Sequence, residues 1–205
     1  MSESSKLKLA VLCAALTMGA AQAASIEIPA TERPQFHAGD VFEYVDRFQT
    51  IECKHWEFVG VDGEAMTNRC GDNVAWFAAD SGALLRITGK GGRELVSYKP
   101  FAPAIPFPLQ IGSKWGGAFE VSTAGDIFSP DLDESCEVVG YETIKIAAGE
   151  LPAFRFDCVT KWSVGLLHGT VTITSWYSPI AKTVIKSING SDSKWDLELA
   201  SYRLQ

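Results

Sequence analysis

The run Trp162-Ser-Val-Gly-Leu-Leu-His-Gly-Thr-Val-Thr-Ile-Thr-Ser-Trp-Tyr-Ser-Pro-Ile-Ala181 contains no Asp, Glu, Lys or Arg. By length and lack of charge it matches a membrane-spanning helix, which needs roughly 20 apolar residues. Its grain says otherwise. The run holds six Ser/Thr together with His168, Gly165, Gly169 and Pro179, and the threonines at 170, 172 and 174 alternate with Val171 and Ile173. Side chains change faces at every residue of a strand, whereas a helix repeats every 3.6 or so. The stretch is a strand with one wet and one dry face.

The same period recurs outward from it. Phe154/Phe156/Cys158 alternate with Arg155/Asp157, Trp195/Leu197/Leu199 with Asp196/Glu198, and Phe42/Tyr44/Phe48 lie opposite Glu43 and Arg47. Turn signals punctuate these runs at Asp62-Gly63, Asp80-Ser81-Gly82, Gly89-Lys-Gly-Gly92, Ala148-Gly149 and Asn189-Gly190, the chemistry of hairpin connections. No segment after the leader has helical periodicity. The fold expected is all-β: an antiparallel meander forming a curved sheet, a sandwich or a partly closed barrel.

The chain has 205 residues, 46% of them hydrophobic and 21% charged, with a formal net charge of −7. Such a composition builds a packed core and excludes disorder. The acidic excess is spread evenly, which argues against a nucleic-acid partner or an anionic membrane surface. Lys6 and Lys8, the uncharged run Leu9–Ala21 and the small residues Ala21 and Ala23 form a secretory leader, so residues 1–23 are expected to be a signal peptide cleaved before Ala24. Cys13 lies in the leader, but Leu12 before it is larger than lipidation sites accept, and no lipid anchor is expected. The location expected is the periplasm or the extracellular medium.

Four of the five cysteines follow the leader: Cys53, Cys70, Cys136 and Cys158. An even number in an exported chain predicts disulfides. A hairpin turning at Asp62-Gly63 brings Cys53 near Cys70, and one turning at Ala147 to Gly149 brings Cys136 opposite Cys158. Those are the pairings expected. No closely spaced Cys/His set is present, and neither a metal nor a cofactor is expected.

A weak repeat runs through residues 24–205, read as one β-domain. Residues 36–99 contain Gly39-x-x-Phe42, Gly63-Glu64, Trp76-Phe77 and Leu85-Arg86; residues 112–190 contain Gly112-x-x-Trp115, Gly140-x-Glu142, Trp176-Tyr177 and Ile185-Lys186. Between them, Pro100-Phe-Ala-Pro-Ala-Ile-Pro-Phe-Pro108 is too rich in proline for an internal strand. It reads as a stiff crossover that packs Phe101 and Phe107 into the core.

Ile146-Ala-Ala-Gly-Glu-Leu-Pro-Ala-Phe-Arg155, Trp176-Tyr-Ser-Pro179 with Val184-Ile-Lys186, and Gly112-x-x-Trp115 resemble motifs of a broad group of exported bacterial β-proteins with no assigned activity. The resemblance covers about residues 105–190. It implies an envelope β-fold and carries over no catalytic residue.

Catalytic motifs are sparse. There is no G-x-S-x-G elbow and no H-E-x-x-H. Asp126, Asp131, Asp133 and Glu134 cluster around Ser129-Pro130 and read as a solvated acidic loop rather than a calcium site. His168 has no evident partner and reads as structural. The six tryptophans are expected mostly in the core, with one or two in a cleft. The function expected is therefore non-enzymatic binding of an envelope component, an apolar small molecule or a protein partner. Trp115 and Tyr177 are the candidate ligand contacts, while Asp133, Glu134 and His168 are dispensable. A hydrolase with carboxylates assembled across strands is the alternative. An outer-membrane barrel fits less well, and no membrane span is expected after the leader.

Overall fold

A computed structural model of the protein describes residues 30–45 and 53–205. The leader, its cleavage site, Cys13, Arg47 and Phe48 lie outside those residues. The strands are β1 (Val41–Tyr44), β2 (His55–Asp62), β3 (Ala65–Cys70), β4 (Asn73–Ala78), β5 (Leu84–Thr88) and β6 (Glu94–Lys99), then β7 (Lys114–Thr123), β8 (Asp131–Ile146), β9 (Gly149–Val164), β10 (Leu167–Ser178), β11 (Thr183–Asn189) and β12 (Leu197–Arg203). Two single 3-10 turns, Lys90–Gly92 and Ser193–Trp195, interrupt the connections.

Each strand pairs antiparallel with its neighbour in the chain, and β1 pairs with β12, so the meander closes into a twelve-stranded barrel. Closure removes the unpaired edges that an open meander would leave. The regions proposed as related, 36–99 and 112–190, lie side by side in this one sheet.

The charge-free run supplies the last three residues of β9, Trp162 to Val164, the turn after them and the whole of β10, with Ile173 opposite Cys158 and Tyr177 opposite Phe154. Inward positions are mostly apolar, and outward positions mix charged side chains with exposed ones such as Val61 and Val159. Arg69–Glu57, Lys114–Glu137 and Lys186–Glu198 are ion pairs on the outer wall, at 3.5, 3.1 and 3.3 Å. Exposed pairs of this kind contribute about 0–1 kcal/mol each. They mark which side is wet.

Both expected disulfides are present, Cys53–Cys70 with Cα atoms 6.0 Å apart and Cys136–Cys158 with Cα atoms 4.1 Å apart. The second depends on a bulge. Ile146 pairs with Gly149 across a two-residue turn, but the register shifts between Val138 and Gly140. A regular ladder would have set Cys136 against the outward-facing Val159. The extra residue, Val139, stands exposed and returns Cys136 to Cys158.

Two expectations need correction. Residues 100–108 do not cross between sheets, because β6 and β7 are adjacent in the barrel wall. The segment instead stretches beneath the barrel from β5 to β8: Ala102 N–H bonds Leu84 O at 3.0 Å and Gly112 N–H bonds Val138 O at 2.9 Å. Leu109, fully buried, exchanges two backbone bonds with Thr31. Phe107 packs inward, yet Phe101 is 45% exposed. This segment forms the floor of the barrel. The second correction is local: Asp131, Asp133 and Glu134 belong to strand β8, not to a loop.

Asp40 locks the floor in place. Its fully buried carboxylate accepts from His37 N–H at 2.9 Å and from Gln205 N–H at 2.7 Å, with Lys182 Nζ 3.8 Å away. Lys182 also donates to Gln35 O at 2.6 Å. The start of the described chain, its last residue and the β10–β11 turn are thereby joined.

Candidate functional site

Twelve strand spacings of about 4.8 Å make a wall roughly 58 Å around, more than inward side chains alone can fill. The excess is partly taken up by the floor and by Phe36, which packs 5.4 Å from Phe58. The rest is space. A cavity of about 820 Å³ runs from Pro103 and Ile105 at the floor to Pro130, Trp162 and Trp195 at the opposite rim. A smaller cavity of about 270 Å³ adjoins it, sharing Phe36, Asn68, Phe77 and Leu84 with the larger one.

The lining is apolar with a few polar exceptions. Glu134 sits on β8 near the rim, directly opposite Thr160 of β9 and Gly117 of β7. Its Oε2 accepts from Thr160 Oγ1 at 3.1 Å. Burial raises the carboxyl above its ordinary value of 4.5, and the Thr160 bond offsets only part of that. On the other flank, a side chain at Gly116 would collide with the Glu134 carbonyl, so close approach of the strands demands glycine there. Gly117 faces the carboxylate with no side chain, leaving room beside it; a Cβ there would touch only Pro103, at 4.0 Å. One rung nearer the rim, Trp162 lies across Gly169, where a Cβ would meet the indole at 2.7 Å.

Glu134 also lies beside a disulfide. Its carboxylate lies within 4.8 Å of the sulfurs of Cys136 and Cys158, but those sulfurs are bonded to each other and offer no thiolate.

At the floor end stands Tyr177. It is 3% exposed, edge-on to Phe107 at 5.7 Å, and its hydroxyl has no hydrogen-bond partner. Burial pushes that hydroxyl well above the usual phenol range. Two cations also line the floor end of the cavity. Arg33 stacks 5.6 Å over the Phe107 ring, and Lys182 is held by Asp40 and Gln35.

The structure divides the candidate residues. Tyr177 lines the cavity, while Trp115 packs 5.1 Å from Phe156 below it and does not. Trp162 and Trp195 line it too. His168 and Asp133 are exposed, whereas Glu134, grouped with them in the sequence reading, faces the lumen. A signal for Glu134 existed. Counting back by twos from Cys136, whose partner Cys158 shares a face with Phe154 and Phe156, puts Glu134 on that same face.

The rim itself carries apolar side chains in water. Ile127 is 91% exposed and Phe128 69% on the β7–β8 loop; Leu166 is 97% exposed on the β9–β10 turn. The pairing of Asp131 with Ser163 puts both connections at that end of the barrel.

No protein-family model matches the chain, and no curated protein matches it. The barrel has a solved counterpart. The chain is similar to the crystal structure of a candidate lipoprotein from Parabacteroides distasonis ATCC 8503, with a TM-score of 0.55 and 10% identity over 86% of this chain and 100% of that one. A weaker likeness, TM-score 0.41 at 14% identity, covers 79% of this chain and 83% of the hypothetical lipoprotein YmcC of Escherichia coli K12. At 10% identity the first likeness is one of fold. Of the expected resemblance, what is met is an all-β fold shared with a bacterial lipoprotein of that kind.

Proposed function

We propose that the protein is an exported, water-facing barrel that binds a small apolar or amphiphilic molecule in its lumen. The observation that carries this reading is the cavity of about 820 Å³, which falls in the roughly 300–1,000 Å³ range of small-molecule sites. The distribution of polarity supports it. Membrane barrels put an apolar band outside and a polar lumen inside, and this wall is built the other way round, with ion pairs outside and aromatics within. Export is supported by the leader motif and by two disulfides, which persist in oxidising compartments. The lining argues for binding over hydrolysis. Glu134 is the one carboxylate in it among the described residues, whereas carboxylate-driven hydrolysis places two on either side of the scissile bond.

Titration of purified mature protein with N-phenyl-1-naphthylamine, a neutral probe that fluoresces when dry, tests the reading. Saturable enhancement at micromolar probe is expected. Val171→Trp, which fills the lumen from β10, should weaken it at least tenfold without lowering the thermal midpoint. No enhancement in the wild type, or equal enhancement in the filled variant, overturns lumen binding. N-terminal sequencing of the exported protein should begin at Ala24. A start at Met1 or a lipid on Cys13 overturns the export route.

A further inference from the structure

The Glu134 carboxylate is placed as a recognition group. It lines the lumen on a rigid strand, among Leu132, Trp162 and the Cys136–Cys158 bond. An ionised carboxylate has about four acceptor positions, and the side-chain donor it has here is Thr160. No Lys or Arg pairs with it among the described residues, and Gly117, opposite it on β7, carries no side chain; a Cβ there would meet Pro103 at 4.0 Å. We propose that the lumen takes an amphiphile with a cationic amine head, the ammonium resting between Glu134 and the face of Trp162 and the apolar tail running toward the floor.

Charge fixes both the sign of the head and its orientation. A bare carboxylate in an apolar wall repels an anionic head and gains most from a cation, which supplies both charge and N–H donors. Trp162, one rung toward the rim, adds the ring face that favours ammonium groups. The floor end is unsuitable for the same head, because Arg33 and Lys182 stand there. Between the two ends, the wall from Val171, opposite Thr160, down to Tyr177 on β10 is roughly 20 Å long. That length is lined for a chain, not for a second charge.

This inference rests on the lumen being a ligand site, and the experiment separates the two. Dodecylamine, dodecanol and dodecanoate share one chain and differ in head charge. Each is used to displace N-phenyl-1-naphthylamine at neutral pH, below its micellar concentration. In the wild type, dodecylamine should displace at a concentration at least ten times lower than dodecanol, with dodecanoate weakest. Glu134→Gln should bring the amine within about twofold of the alcohol. A thermal midpoint for Glu134→Gln no lower than that of the wild type excludes a folding defect in that variant. Asp133→Asn, one residue away and outward-facing, should keep the full preference. If the alcohol or the fatty acid binds as well as the amine, the head assignment fails while lumen binding stands. A preference that survives Glu134→Gln assigns it to the overall negative charge and overturns the site. If none of the three displaces the probe, lumen binding itself fails.

Discussion

Asp133 and Glu134 are neighbours in the chain, yet Asp133 stands exposed opposite Lys161 while Glu134 turns inward beside Thr160. Burial raises the Glu134 carboxyl above 4.5. Over the window from 4.5 up to its folded value, the folded chain holds a proton that the unfolded chain has released, so stability falls as pH rises. Above that window the whole penalty remains. Glu134→Gln is therefore expected to melt higher than the wild type at pH 7, with the difference gone below about pH 4. An equal difference at both pH values would assign the effect to packing. Asp40 predicts the opposite sign. Its buried carboxylate serves two backbone donors and Lys182, and removing one partner of a buried charge pair costs about 3 kcal/mol. Asp40→Ala should lower the thermal midpoint by on the order of 10 °C; a loss under about 3 °C would show that the floor does not depend on it. Tyr177 offers a contrast, since its hydroxyl is buried without a partner. Deleting it should cost nothing and can return about 1 kcal/mol, so Tyr177→Phe is expected to melt at or above the wild-type temperature.

At the scale of elements, the hairpin of β8 and β9 is the longest in the fold, and its far end folds back on the barrel. Ala148 N–H bonds Leu199 O at 3.1 Å and Trp176 Nε1–H bonds Glu142 Oε1 at 2.8 Å. The bulge at Val139 divides this hairpin into two segments whose registers differ by one. A single-residue deletion tests that reading. Removing Val139 takes out the unpaired residue and leaves Cys136 opposite Cys158, so a thiol assay should find no free cysteine. Two free thiols in that variant would refute the bulge as the register device. The pairing of the cysteines was legible because a turn at 147–149 fixes distances along both arms. The phase switch was not, since alternation through 131–138 and through 140–146 is locally regular on either side. Ser129-Pro130 and the nearby acids have the local chemistry of a loop, and only pairing with β7 and β9 draws Asp131 to Glu134 into a strand. For the same reason Tyr177 could be placed in the lumen from its own strand, while Glu134 needed the partner strand to be known.

For the whole molecule, alternation reports which face of each strand is dry, but not that the last strand meets the first. Closure depends on β1, only four residues long and bulged against β12. Beside it, β11 and β12 pair only at Lys186–Glu198 and Ser187–Leu197, whereas β8 and β9 pair from Asp131–Ser163 to Ile146–Gly149. Stability should follow that gradient. In native-state hydrogen exchange, amides of β8, β9 and β10 are expected to exchange slowest, and those of β1 and β12 at least tenfold faster. Uniform protection around the wall would mean that the seam is as strong as the tall side. Closure also sets an arithmetic rule. In a meander every strand reverses the one before, so first and last strands can meet antiparallel only when their number is even, as twelve is here. A lone extra strand would bring the ends together parallel. The bore can therefore widen or narrow only by whole hairpins, in steps of roughly 10 Å of circumference, so closed meanders related to this barrel should differ from it by pairs of strands.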